Sequence, residues 1–188
     1  GQGLSIAVGI ALGLRMKRLN SKAYCIMGDG EQQAGQIWEA AMEAGHYKLD
    51  NLIGIIDKNR LQIDGWVKDV MDVDPLGEKY RSFGWEVMEA DGHSMEQIVT
   101  ALERAQAVKG KPVVILAETV KGKGVDFMEN VAGWHGKTPS IEEMNRGLEQ
   151  LGLKGKLPAD EMLLSAKSHQ KNAEAELEKK MPKFKRKY

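Results

Sequence analysis

Three short stretches, Lys22–Met27, Asn51–Ile56 and Val113–Ala117, are mostly apolar, and none alternates apolar with polar residues. A strand with one face in water alternates with period two, so unbroken runs fit strands covered on both faces, as in parallel sheets. Trp85–Glu89 reads as a fourth strand. Helical patterns separate these strands: Leu4–Arg18, Glu31–Tyr47, Pro75–Phe83 and Met95–Val108, the last with Ile98, Leu102 and Ala105 on one side and Ser94 as its N-cap. Gly9 and Gly13, four apart, would bare the backbone of the first helix for close packing, so that helix is expected to be buried. Strands alternating with helices predict an α/β domain, a mostly parallel sheet flanked by helices, whose ligands gather beyond the carboxyl ends of the strands.

The 188 residues suffice for one domain with an appendage and leave no room for a second catalytic domain. The α/β pattern runs to residue 153, and residues 154–188 are expected to form a basic helical extension, with a helix over Asp160–Lys180. Ser140, followed three residues later by Glu143, has capping-box spacing at the start of a helix reaching Leu151. From Lys154 to Tyr188 there are ten Lys and Arg against five Asp and Glu, yet the whole chain is neutral. That tail reads as a solvated helix with a basic end, since nothing around it resembles a nucleic-acid-binding module. No apolar run approaches the ~20 residues that cross a bilayer, so no membrane partner is expected. The single cysteine, Cys25, lies in an apolar run and reads as a small core residue. With no charged export segment at the start, a cytoplasmic location is expected. The chain opens abruptly on Gly1-Gln2-Gly3 without an initiator methionine, which points to an N-terminally incomplete fragment.

Gly28-Asp29-Gly30 stands where the first strand ends and a helix begins. Backbone amides there favour anions, and glycines let a phosphate approach the main chain. Asp29 would repel a phosphate unless a divalent cation bridged carboxylate and phosphate oxygens. Taken alone, the motif favours a tight turn whose aspartate caps the following helix. The second strand ends at the same sheet edge in Asp57-Lys58-Asn59-Arg60. The Asn59 carboxamide oxygen and a main-chain carbonyl just beyond it could complete an oxygen set of the kind magnesium prefers.

Gly-Asp-Gly followed by Asn59, 30 positions after Asp29, resembles the thiamine diphosphate motif of transketolases. The stretches Gly1–Gly9, Trp38-Glu-Ala-Ala, Leu49-Asp-Asn-Leu-Ile53, Asn59-Arg-Leu-Gln-Ile-Asp-Gly65 and Trp134-His135-Gly136 are similar to the same family, above all to its split form with two separate polypeptides. The resemblance covers Gly1 to about Leu151. It implies a thiamine diphosphate-binding fold, with residues 1–153 as the diphosphate and magnesium domain. It also implies Asp29, the Asn59 side chain and the Leu61 carbonyl as ligands of magnesium, or of calcium or manganese in its place. Gly28, Gly30 and Glu31 join these as cofactor-binding residues, with Lys121 as a cation for diphosphate or substrate charge. His135 is implied as a catalytic and cofactor-contacting residue, imidazole being able to move protons near neutral pH. His46, His93 and His169 lack such a setting and read as helix-end, turn or tail residues.

The implied activity is transfer of a two-carbon ketol unit between sugar phosphates, as in the pentose phosphate pathway, by a dimer or hetero-oligomer with a pyrimidine-domain subunit. The alternatives are another thiamine diphosphate ketolase, such as deoxyxylulose-phosphate synthase, and a non-catalytic module that keeps the fold. The second arises because most transketolases carry a glutamate five positions after the motif aspartate, where this chain has Ala34.

Overall fold

The computed structural model describes residues 1–155, 165 and 167–172. Two compact units make up the chain, Gly1–Thr138 and Pro139–Tyr188. In the first, the order is α1 (Gly3–Met16), β1 (Ala23–Gly28), a 3-10 turn (Gly30–Gln33), α2 (Gly35–His46), β2 (Leu52–Lys58), β3 (Leu61–Gln62), β4 (Gly65–Trp66), α3 (Val67–Met71), α4 (Leu76–Ser82), β5 (Glu86–Asp91), α5 (Met95–Ala107), β6 (Val113–Glu118) and a second 3-10 turn (Ala132–Trp134). In the second unit, α6 (Ile141–Gln150) starts on the expected capping box: Ser140 accepts from the Glu143 N–H and the Glu143 carboxylate accepts from that of Ser140. Residues 165 and 167–172 are helical, and the rest of the helix expected over Asp160–Lys180 lies outside the described residues.

The sheet runs β1-β2-β6-β5, parallel throughout, as the unbroken apolar runs require. Adjacent side chains of β6 part to opposite faces. Val114 and Leu116 join α1 and α2 in one core, with Met27, Ile37, Leu52 and Ile56, while Val113 and Ile115 join Ala101 and Ala105 of α5 in the other. Gly45 of α2 lies so close to the end of α4 that a Cβ would fall 1.8 Å from the Phe83 carbonyl oxygen. Only glycine permits that crossing.

The register brings Gly28 level with Asp57, Asp57 level with Ala117, and Asp91 level with Glu118. The strands therefore end in one row, where ligands of parallel sheets collect. Just beyond β2 the chain leaves the sheet as the small antiparallel ribbon β3–β4.

Two sequence expectations needed revision. The helix expected from Glu31 begins instead as a 3-10 turn, and α2 starts only after Ala34, whose backbone is extended (φ −76°, ψ 125°). α1 buries Leu4, Ala7, Val8 and Ala11 but leaves Ile6 60% and Ile10 52% exposed, because no element of the first unit covers its far side. Among the described residues no helix is long and apolar enough to cross a membrane.

Candidate functional site

The β1–α2 connection is a scaffold of backbone bonds. Asp29 N–H donates to the Asp57 carbonyl, tying the turn to the neighbouring strand, and Gln32 N–H donates to the Asp29 carbonyl. The Asp29 carboxylate accepts from the N–H groups of Gly30 and Arg60. It thereby joins the ends of β1 and β2 across 31 residues of sequence. Asn59 Oδ1 accepts from the Leu61 N–H at 2.9 Å, a local turn that fixes the carboxamide. Between them Arg60 adopts a left-handed conformation (φ 66°), unusual for a side chain of its size.

Asp29 is 2% exposed and Asn59 7%. Burial pushes the Asp29 carboxyl above the usual carboxylate range. The bonds from Arg60 and Gly30 pull it back, and the negative charge of Asp57 adds to the rise. No Lys, Arg or His among the described residues forms an ion pair with it. A buried carboxylate of this kind is costly unless a cation compensates it. Its own oxygens and the Asn59 carboxamide oxygen at the same cavity are hard donors of the type that hold magnesium, calcium or manganese. Among the described residues no group of three or more His, Cys, Asp or Glu side chains could hold a metal ion. The turn also leaves space for an anion, since a Cβ on Gly28 would meet no atom within 4 Å.

One cavity of about 430 Å³ is lined by Gly28, Asp29, Gly30, Glu31, Asn59, Leu61, Lys121 and His135, every site residue expected from the sequence. Asp57, Gln62, Ile63 and Asp64 complete its walls. Lys121 and His135 come from the segment after β6, which folds back on itself. Asn130 N–H donates to the Lys121 carbonyl, and Trp134 Nε1 donates to the Phe127 carbonyl while its ring lies edge-on to Phe127. Gly122 is required there, as its φ is 77° and a Cβ would come 2.6 Å from the Met128 carbonyl carbon.

This convergence has a family behind it: residues 1–188 match the family described as transketolase, thiamine diphosphate binding domain. The chain belongs to the transketolase family. One subunit of the apulose-4-phosphate transketolase of Phocaeicola vulgatus is 42% identical over 151 residues, 80% of this chain and 54% of that protein. The 6-deoxy-6-sulfo-D-fructose transketolase subunit SqwG of a Clostridium species is 44% identical over 155 residues, 82% of this chain and 56% of that protein. The chain thus spans about half the length of these curated relatives. Transketolase from Campylobacter jejuni superposes with a TM-score of 0.78 at 34% identity, over 84% of this chain and 26% of that one. The sheet described above is accordingly the thiamine diphosphate-binding fold of transketolases, and the naming of both curated relatives as subunits implies that each works with a partner chain.

Within this transketolase chain, several contributing residues escaped sequence reasoning. Gln32 is fully buried beneath the Gly-Asp-Gly turn, donating from Nε2 to the Gly28 carbonyl and accepting from the Tyr80 hydroxyl. Its flanking residues are Glu31 and Gln33, so nothing in the sequence marked it as buried. Lys58 pairs with Asp74 and Glu118, and Arg60 pairs with Glu118. Burial lowers the Lys58 ammonium, but its two carboxylate partners outweigh that and hold it above the usual lysine range. Nothing local marks these pairs, because they join residues up to 60 positions apart. Asp57 accepts from the Thr119 hydroxyl, bracing β2 against the end of β6. His93, read as a turn residue, accepts the Val120 N–H on its Nε2.

Proposed function

We propose that this chain anchors the diphosphate of thiamine diphosphate through a divalent cation, magnesium by preference, held by Asp29, the Asn59 side chain and the Leu61 carbonyl. In this reading the chain is the cofactor-binding subunit or fragment of a transketolase that moves a two-carbon ketol unit between sugar phosphates. A pyrimidine-domain subunit completes it in a cytoplasmic dimer or hetero-oligomer. The observation that carries the reading is the gathering of Gly28, Asp29, Gly30, Glu31, Asn59, Leu61, Lys121 and His135 around one cavity from three distant segments.

The residues divide the work by chemistry. Asp29 supplies the buried charge that the cation neutralises, and Gly28, where a Cβ would meet no atom within 4 Å, leaves room for a phosphate oxygen at the main chain beside Gly30. Lys121 offsets diphosphate or substrate charge at the cavity wall. His135 stands exposed at the same cavity, where an imidazole can hold or move a proton on a substrate hydroxyl. Bound there, thiamine diphosphate supplies the carbanion-stabilising chemistry of ketol transfer.

Ala34 favours a second reading, a module that binds the cofactor without turnover, because its methyl group cannot relay a proton where most transketolases carry a glutamate. Assaying the chain mixed with its partner against a panel of ketose donors and aldose acceptors separates the two. Ketol transfer supports the transketolase, whereas cofactor binding without product supports the non-catalytic module. A product profile limited to deoxyxylulose phosphate would reassign the chemistry to that synthase.

A further inference from the structure

The turn Asp91-Gly92-His93-Ser94 after β5 does more than lead into α5. Gly92 N–H donates to the Glu118 carbonyl at 2.8 Å, and a Cβ on Gly92 would lie 2.3 Å from Thr119 Cγ2. The turn is therefore pressed against the end of β6, and only glycine allows the approach. Two residues further on, the Val120 N–H donates to His93 Nε2 at 2.7 Å, across 27 residues of sequence. The Asp91 carboxylate accepts from the His93 N–H at 2.8 Å and Gln97 Oε1 accepts from the Asp91 N–H at 2.9 Å, which fixes the backbone that carries the imidazole.

Val120 is the residue before Lys121, and from Lys121 the chain closes on itself at Asn130. The loop thus has an internal structure of its own, and its entry is fastened to the β5 turn. His93 and Lys123 also line a neighbouring cavity of about 570 Å³ that shares Asn59 with the diphosphate cavity, so the fastening lies beside the site rather than remote from it.

We propose that His93 is a positioning residue that fastens the Lys121 loop at the mouth of the diphosphate cavity by presenting Nε2 as an acceptor to the Val120 N–H. This deepens the function proposed above and rests on that reading for its consequence, though the fastening itself does not. An imidazole acceptor at Nε2 must carry its proton on Nδ1, and a glutamine at this position offers Oε1 at a similar reach, whereas leucine fills similar space with no acceptor.

Lys121 and Lys123 provide a direct readout, since trypsin cleaves after lysine where the chain loosens. The experiment compares wild type, His93→Leu and His93→Gln, following cleavage after Lys121 and Lys123 in the full chain by mass spectrometry and affinity for thiamine diphosphate with magnesium by titration into the chain paired with its partner subunit. The expected result is cleavage about 2–10-fold faster and cofactor binding about 2–10-fold weaker in His93→Leu, the range of one hydrogen bond, with both restored in His93→Gln. Wild-type cleavage rates in His93→Leu, or equal susceptibility of the leucine and glutamine variants, would overturn the proposal. If wild type binds no cofactor, the proposed function fails while the cleavage rates still decide the fastening.

Discussion

Tyr80 and Gln32 show how a residue far from the cavity shapes it. Both are fully buried, and the Tyr80 hydroxyl donates to Gln32 Oε1 while Gln32 Nε2 holds the Gly28 carbonyl. Removing the hydroxyl leaves a buried acceptor without a donor, which costs ~1–3 kcal/mol. Tyr80→Phe is therefore expected to lower stability by that amount in urea denaturation, whereas Tyr24→Phe, at an exposed tyrosine, should stay within ~0.5 kcal/mol. Tyr80 also packs edge-on against Trp85 at 5.2 Å, so its ring would remain in place and the effect would isolate the hydroxyl. At Cys25 the sequence reading and the structure agree: the thiol is 7% exposed, and burial pushes it up, with the Glu31 charge adding to the rise. A raised thiol holds less thiolate at a given pH, so native protein at pH 8 should react with iodoacetamide much more slowly than protein unfolded in urea. Equal rates would contradict the buried placement.

At the scale of elements, the parallel sheet was legible because its strands are short apolar runs, and the candidate site because a Gly-Asp-Gly turn and Asn59 fall at the ends of two such runs. What escaped was set by packing at long range. The ribbon of β3 and β4 has only two residues in each strand and no apolar pattern to betray it. The break at Ala34 follows the 3-10 turn, which is closed by Gln32 N–H to the Asp29 carbonyl and Ala34 N–H to the Glu31 carbonyl. The burial expected for α1 rested on Gly9 and Gly13, but neither would have a Cβ within 4 Å of another group, so glycine spacing alone misread which face packs. Gly45 is the opposite case, an undistinguished helix glycine at which α2 and α4 nearly touch. Gly45→Ala is expected to destabilise the chain by about 2 kcal/mol or more, since a Cβ would strike a backbone carbonyl that cannot rotate away. Thermal unfolding of this variant beside Gly9→Ala, which meets open space and gains helix propensity, tests the contrast; a comparable loss in both would contradict the close crossing.

For the molecule as a whole, the sheet edge acts as a collector. It gathers a buried carboxylate, a fixed carboxamide, open glycine backbone, a lysine and a histidine from segments that meet only in the folded state. This arrangement can hold a cofactor, and relatives named as single subunits of transketolases support the proposal that use of the cofactor is shared with a second chain. Ketol transfer is accordingly expected only when both subunits are mixed, with each alone inactive in a coupled assay at saturating cofactor. Turnover by this chain alone would contradict that division. The central claim is that Asp29 anchors the cofactor's divalent cation. Titration of thiamine diphosphate with magnesium into the paired subunits, for wild type and for Asp29→Ala, tests it most directly. At least the ~10–100-fold weakening that follows loss of even an outer partner of a metal ligand is predicted for the variant, and equal affinity in the two proteins would contradict the assignment.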